Sequence, residues 1–161
     1  MALMMGTEPR GEYYLLELAA AARKLVEEAM PVKPGEQVVI TADTSSDERV
    51  VRATAQAAYA LGATPTVIWY ETLPNPCLDP PPPVARALTA ADVWVEFAVA
   101  YTLYSNAHRE AVAAGCRYFC LSGMDVDMMV RTIGKVSSPL LEEMAGALYE
   151  LSHQAQEIHI T

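Results

Sequence analysis

Runs of β-branched and aromatic residues alternate along this chain with segments in which apolar residues recur every three or four positions. Alternation of this kind is typical of a parallel sheet whose two faces are covered by helices through right-handed crossovers. The sequence therefore predicts an α/β fold, a three-layer sandwich with a mostly parallel five-stranded sheet of flavodoxin or Rossmann type. The predicted strands are Val38–Ile40, Thr66–Tyr70, Asp92–Ala98, Arg117–Leu121 and Glu157–Thr161.

Two helix starts and one helix face stand out within this alternation. Ser45 and Glu48 have the spacing of a capping box, so a helix is predicted to begin at Ser45. Ser138 and Pro139 open the last long helix, because a proline at the first helical position sacrifices no hydrogen bond. Apolar residues then recur at helical spacing, and we expect them to be buried: Leu141, Met144, Leu148 and Leu151.

The 161 residues are expected to form one domain with its own core. Residues 1–12 are predicted to be a flexible leader and residues 13–161 a single α/β domain. The segment 73–83 carries six prolines and cannot form a regular element. Two interpretations of it stay open, a functional or interfacial loop and a stiff polyproline connector. Because the last predicted strand ends the chain, we expect the chain to be one half of a larger assembly.

The composition argues against several classes of function. The formal net charge is −9, so neither a nucleic-acid surface, which needs clustered Lys and Arg, nor binding to an anionic membrane is expected. No apolar run approaches the ~18 residues that span a bilayer, and the first residues lack the basic flank of a secretory signal. The odd number of cysteines does not suggest a disulfide framework. We therefore expect a cytoplasmic protein.

Motifs that would carry catalysis or hold a cofactor are missing. The turn at residues 42–46 has no glycine, so its backbone cannot close on a pyrophosphate. Neither a Walker-type loop nor a Gly-x-Ser-x-Gly elbow occurs. His108, His153 and His159 have no second histidine or carboxylate at a spacing that would share one metal ion. We therefore predict no catalytic residue, no metal ligand and no cofactor within this chain.

The ligand cleft of such a fold opens where the strand order reverses, outside the carboxyl ends of the strands. If the first and third strands flank that point, residues 43–46 and 100–106 line the cleft. Hydrogen-bonding groups in the second segment suit a small polar aromatic or peptide-like ligand. They belong to Tyr101, Tyr104, Ser105 and Asn106. Helix capping by Ser105 is the competing explanation.

Glu96 is a charged residue in an otherwise apolar predicted strand. A carboxylate in such a place must be paired, lie near the end of the strand or be functional. All three interpretations of Glu96 stay open.

Five stretches together resemble the N-terminal domain of the aminopeptidase T family of metallopeptidases, and the likeness covers residues 13–161. Their order and spacing carry the resemblance more than any one of them. The stretches are residues 32–40, 60–65, 90–93, 110–118 and 123–131. Several enzymes share this two-domain plan, among them 2,5-dihydroxypyridine 5,6-dioxygenase, an iron-dependent ring-opening enzyme.

The resemblance implies the N-terminal domain of a leucyl-aminopeptidase-type hydrolase, inactive alone, in which Leu103, Tyr104, Ser105 and Asn106 contact a small-molecule or peptide substrate. It also implies a divalent metal (Zn, Mn, Co or Fe) in a C-terminal domain, which would be a partner together with a second copy in a homodimer. One alternative is the corresponding domain of a dihydroxypyridine-dioxygenase-like iron enzyme. Another is a stand-alone binding or scaffold module, whose surface would be polar where a severed domain shows an apolar patch.

Overall fold

The computed structural model describes residues 14–159, so the predicted leader at residues 1–12 lies outside the described part. Four strands alternate with helices in this part of the chain. The strands are β1 (Gln37–Asp43), β2 (Thr64–Tyr70), β3 (Val93–Glu96) and β4 (Arg117–Cys120). The helices are α1 (Leu15–Lys24), α2 (Glu48–Ala60), α3 (Pro82–Leu88), α4 (Asn106–Ala113), α5 (Val126–Met129) and α6 (Ser138–Gln154). A π-helical turn extends α1 over Leu25–Ala29, and another extends α5 over Val130–Gly134.

All the strand pairs are parallel, and the order across the sheet is β2-β1-β3-β4. The interior strands β1 and β3 are almost wholly buried, as expected for strands covered on both faces. After β1 the chain adds β2 on one side of β1, and it then adds β3 on the opposite side of β1. The strand order thus reverses between β1 and β3, which is where such folds form their cleft.

Helices cover both faces of the sheet, which confirms the α/β architecture and the covered parallel sheet. On one face, β1 and β3 contribute Val38, Ile40 and Val95 to a core that also contains Leu25 of the π-helical turn after α1 and Val50 of α2. On the other face, Val39 and Trp94 pack with residues of α3 and α4. The alternation of side chains along each strand separates these two cores.

The prediction of a fifth strand at Glu157–Thr161 is wrong for the residues that are described. Residues 157–159 are exposed and not in a strand, and the last two residues lie outside the described part. Isolated strand-like composition is not sufficient, because a strand needs a neighbour for its backbone hydrogen bonds. Among residues 14–159 the sheet has four strands.

The predicted capping box at Ser45 is also wrong. Helix α2 begins at Glu48, and the carboxylate of Asp47 caps it by accepting a hydrogen bond from the backbone N–H of Arg49 at 3.0 Å. Ser45 belongs instead to the preceding turn, where its backbone N–H donates to Asp43 Oδ1 at 3.0 Å. Aspartate caps a helix as well as serine does, and Ser45 is already part of the turn. The helix therefore begins after Asp47 and not after Ser45.

Helix α6 forms where it was predicted, with Ser137 as its cap, but its apolar side chains are not buried. All residues of the expected stripe are exposed, from 52% for Met144 to 69% for Leu151. The described part of the chain therefore carries an amphipathic helix whose apolar face is largely uncovered. None of the helices in this part is both long and apolar enough to cross a membrane.

The exposure of α6 predicts a contrast between two leucine substitutions. Leu25 is fully buried in the core, whereas Leu148 is 62% exposed. Leu25→Ala should lower the free energy of unfolding by about 2–5 kcal/mol, because it leaves a cavity. Leu148→Ala should change it by less than about 0.5 kcal/mol. Urea denaturation of the two variants measures the difference, and an equally large loss for Leu148→Ala would show that α6 packs against the core.

Candidate functional site

Two fully buried carboxylates lie at the carboxyl edge of the sheet, the edge formed by the ends of β1, β2, β3 and β4. Asp43 ends β1 and Glu96 ends β3, so they flank the point where the strand order reverses. Their side chains lie on the face of the sheet that α3 and α4 cover, because both alternate with residues of the other core. Two buried acidic groups therefore lie at the edge where the cleft was predicted, and residues 43–46 of that prediction do not line the cavity described below.

Asp43 organises the two loops on either side of it. Its Oδ1 accepts hydrogen bonds from the backbone N–H of Ser45 and the hydroxyl of Ser46, both at 3.0 Å. Its Oδ2 accepts from the backbone N–H groups of Val99 at 2.8 Å and Ala100 at 3.2 Å. These four donors fill the acceptor positions of the carboxylate. Asp43 thus holds the turn after β1 against the loop after β3.

Glu96 bonds to the next part of the same loop and to β4. Its Oε1 accepts from the backbone N–H of Thr102 at 3.0 Å and from the Thr102 hydroxyl at 2.7 Å. Its Oε2 accepts from the same N–H at 3.1 Å and from the Tyr118 hydroxyl at 2.5 Å. The sequence left three interpretations of Glu96 open, and two of them are correct: Glu96 is hydrogen-bonded, and it lies at the end of its strand.

Burial raises the pKa of Glu96 above its ordinary value, and the neighbouring charge of Asp43 acts in the same direction. The hydrogen bonds from Tyr118 and Thr102 oppose this rise because they favour the ionised form. Burial and the charge of Glu96 also raise the pKa of Tyr118, so its hydroxyl stays protonated and donates. Tyr70, at the end of β2, has a raised pKa for the same two reasons, with Asp43 adding to them.

An open cavity of about 560 Å³ lies beside this network, at the carboxyl ends of β3 and β4. We call it the edge cavity. Its lining combines apolar side chains with hydroxyl and thiol groups. The lining residues are Tyr101, Leu103, Tyr104, Cys120, Leu121, Ser122 and Met124. The cavity therefore offers apolar surface for a small ring and polar groups for its substituents.

The structure brings two of the four predicted substrate contacts to this cavity. Leu103 and Tyr104 line it, and Tyr104 is 66% exposed with a left-handed backbone φ of 71°. Ser105 is buried and caps α4, accepting from the backbone N–H of His108 at 3.1 Å, which is the competing explanation stated above. The side-chain amide of Asn106 donates to Asp79 at 2.9 Å. Substrate contact by any of the four stays a prediction.

The proline-rich segment is irregular up to Pro81, but Pro82 and Pro83, which were expected to lie outside any regular element, begin α3, because proline is tolerated in the first turn of a helix. The segment is fastened to the start of α4. Asp79 accepts from the backbone N–H of Ala107 at 2.8 Å as well as from Asn106, and these bonds lower the pKa of its carboxyl. The backbone N–H of Cys77 donates to the carbonyl of Tyr101 at 2.7 Å. In this structure the segment therefore behaves as a strut that supports one wall of the edge cavity.

His108 lies in an aromatic cluster under the same wall. Its ring centroid is 4.7 Å from that of Tyr118 and 6.2 Å from that of Trp94. Its Nδ1 is buried without a hydrogen-bond partner within residues 14–159. Burial lowers the pKa of His108, and the charge of Arg109 lowers it further, so the ring is neutral near pH 7.

With this geometry in place, comparison with known proteins decides the family. The family model for 2,5-dihydroxypyridine 5,6-dioxygenase matches residues 17–161. The chain belongs to this family. No curated protein sequence matches it. The expected assignment to the aminopeptidase T family finds no support, and the dioxygenase alternative is the better supported one.

One solved structure supports the fold. The 2,5-dihydroxypyridine dioxygenase from Pseudomonas putida KT2440 matches with a TM-score of 0.59 and 19% identity, over 71% of this chain and 36% of that one. NpsA from Klebsiella oxytoca matches 75% of this chain and 20% of its own at 12% identity, with a TM-score of 0.47. AmpT from Thermus thermophilus matches 76% of this chain and 42% of its own at 16% identity, with a TM-score of 0.46. The last two likenesses are too weak to support a conclusion about fold or function.

The resemblance to the dioxygenase implies iron, but the residues described do not fit an iron ion. Within residues 14–159 no group of three His, Cys, Asp or Glu side chains could hold an ion together. The acceptor positions of Asp43 and Glu96 are taken by backbone amides and hydroxyls. Neither carboxylate is therefore available as a metal ligand without breaking the loop that it holds.

Sequence reasoning missed two residues of the site, Asp79 and Tyr118, and it placed Thr102 in the cleft segment 100–106 without predicting its bonds to Glu96. A partial signal existed for Tyr118. It is a hydroxyl-bearing residue in the strand next to Glu96, and strand alternation places both on one face. No comparable signal existed for Asp79, which meets Asn106 across 27 positions of sequence.

The strut predicts that Asp79→Ala will loosen the proline-rich segment. The substitution removes the acceptor for Ala107 and Asn106, so limited proteolysis should cut within residues 71–81 several times faster than in the unchanged protein. Glu71→Ala, at an exposed acidic residue in the same connection between β2 and α3, is the matched control and should leave the cutting rate unchanged. Equal cutting rates for Asp79→Ala and the unchanged protein would argue against the strut.

Proposed function

We propose that this domain forms one wall of the substrate pocket in a ring-opening dioxygenase of the 2,5-dihydroxypyridine 5,6-dioxygenase family. The match of the family model over residues 17–161 carries the proposal. The edge cavity supplies the location, because it lies at the carboxyl edge of the parallel sheet, at the ends of β3 and β4 and next to the strand that borders the reversal of strand order. In this proposal Leu103 and Tyr104 contact the substrate.

The lining of the edge cavity suits a hydroxylated heteroaromatic ring. Leu103, Leu121 and Met124 offer apolar surface to the faces of a ring. The Tyr104 hydroxyl can hydrogen-bond to a ring hydroxyl group, and the Ser122 hydroxyl, which donates to the carbonyl of Val99 at 2.8 Å, can accept from one. The volume of about 560 Å³ falls within the usual range of small-molecule sites, and the openness of the cavity fits a wall that a second body completes.

The proposal assigns the metal to another domain. The chain spans 36% of the solved dioxygenase from Pseudomonas putida that it matches. Within the chain, the buried carboxylates hold loops and do not fit iron. Dioxygen chemistry would therefore come from an iron site outside this chain, and the role of this chain's residues is to bind and orient the substrate.

The uncovered face of α6 supports the expectation of a partner. Leu141, Met144, Leu148 and Leu151 form an exposed apolar stripe, which a stand-alone module with a polar surface would not show. Both expected partners, a metal-bearing domain and a second copy in a homodimer, stay predictions.

The proposal predicts that 2,5-dihydroxypyridine binds at the edge cavity of the full chain. In an NMR titration, the backbone signals of Leu103, Tyr104 and Ser122 should shift with increasing ligand. Tyr104→Ala should weaken the affinity about tenfold, because it removes an aromatic contact and a hydroxyl. Tyr149→Ala on α6 is the matched control, since Tyr149 is 64% exposed against 66% for Tyr104; it should leave the affinity unchanged.

Two results would contradict the proposal. One is the absence of shifts at the edge cavity at millimolar 2,5-dihydroxypyridine. The other is a larger effect of a leucyl peptide on the same signals, which would favour an aminopeptidase-type substrate.

A further inference from the structure

We propose that Glu96 is a positioning residue that clamps the two walls of the edge cavity to each other. The clamp rests on geometry alone, and its effect on ligand affinity rests on the proposed function. The first wall is the loop segment 101–104, and the second is the end of β4 with the residues that follow it, 120–124.

The first wall is bound to Glu96 through Thr102. This residue lies between Tyr101 and Leu103, which both line the cavity, while its own side chain is fully buried. Its backbone N–H lies 3.0 and 3.1 Å from the two carboxylate oxygens, and its hydroxyl lies 2.7 Å from Oε1. The side chain and the backbone of one residue are thus held together, so the position of the wall is fixed at that point.

The second wall is bound to Glu96 through β4. The Tyr118 hydroxyl donates to Oε2 at 2.5 Å, two residues before Cys120, which lines the cavity. The backbone N–H of Leu121 donates to the carbonyl of Glu96 at 2.7 Å. Glu96 therefore connects the loop segment 101–104 to the end of β4, and these two segments lie 14 or more positions apart in the chain.

Fold stability alone does not require a carboxylate at this position. Taking a carboxylate out of water is costly, and an apolar side chain of similar size avoids that cost. What the carboxylate adds is two oxygens with four acceptor positions, which receive donors from both walls. A glutamine would offer one oxygen and a donor group to the same set of donors.

The surroundings of Glu96 make its ionisation measurable. The titratable groups around it are Asp43 from β1, Tyr70 from β2, Tyr118 and Cys120 from β4, and His108, which packs on Tyr118 from α4. Burial and Asp43 raise the pKa of Glu96, so its titration is displaced from that of exposed glutamates.

The first test compares Glu96→Gln with Glu110→Gln, an exposed glutamate on α4, as the matched control. In Glu96→Gln, amide hydrogen exchange at Thr102 should become about tenfold faster, and affinity for 2,5-dihydroxypyridine should fall about tenfold. Glu110→Gln should match the unchanged protein in both measurements. Unchanged exchange at Thr102 in a folded Glu96→Gln variant would overturn the clamp.

The second test asks whether the walls communicate through Glu96. Tyr118→Phe keeps the ring and the carboxylate but removes the bond to the second wall. It should shift the NMR signals of Thr102 on the first wall, and it remains informative if Glu96→Gln does not fold. The effects of Thr102→Val and Tyr118→Phe on affinity should be less than additive when combined. No shift at Thr102, or full additivity, would count against the clamp.

The third test is spectroscopic and separates positioning from simple structural support. The amide shift of Thr102 should titrate with pH above the range of exposed glutamates in the unchanged protein and in Glu110→Gln, but not in Glu96→Gln. A Glu96 that did not bond to the amide of Thr102 in solution would not impose its titration on that amide, whatever it added to stability. If 2,5-dihydroxypyridine fails to bind the unchanged protein, the proposed function fails, while exchange and titration at Thr102 still decide the clamp.

Discussion

The carboxyl edge of this domain depends on two carboxylates that are buried with their acceptor positions filled. An unpaired buried charge costs several kcal/mol, so Asp43 and Glu96 are tolerated only because backbone amides and hydroxyls point at them. Asp43 accepts a hydrogen bond from Val99 near the start of the loop after β3, and Glu96 accepts one from Thr102 later in the same loop. An irregular segment is thereby held at two places, which is what allows Leu103 and Tyr104 to occupy defined positions on the wall of a cavity.

The elements that sequence predicted best are those whose surroundings are implied by their own composition. Runs such as Val38–Ile40 and Val93–Val95 are apolar at every position, which indicates a strand buried on both faces whatever lies beside it. Glu157–Thr161 has strand-like composition too, but the described residues 157–159 are exposed, and composition cannot supply a neighbouring strand. Sequence reasoning meets the same difficulty at α6, where the spacing of apolar residues predicts the helix and its apolar face but not which surface, if any, covers that face.

The residues of the candidate site also fall into two groups, those whose place the sequence could predict and those whose place needed the structure. Leu103 and Tyr104 could be placed at the carboxyl edge from topology, since the ends of parallel strands meet there. Ser105 and Asn106 are drawn into capping and into the bond with Asp79, and the choice between such local bonds and a ligand depends on a segment 27 residues away. Tyr118 reaches Glu96 only in the register that the folded sheet adopts, so its role needed the structure.

The hydrogen bonds at this edge explain why neither Asp43 nor Glu96 is free to bind a metal ion in the part of the chain that the structure describes. The carboxylates that could have bound an ion, Asp43 and Glu96, are committed to holding loops, and freeing either would release the segment that lines the cavity. The groups that line the cavity are hydroxyls, a thiol and apolar side chains, a combination that suits a small ring with polar substituents. Under the proposed function these groups bind and orient the substrate, and the open side of the cavity is where a metal-bearing surface would approach.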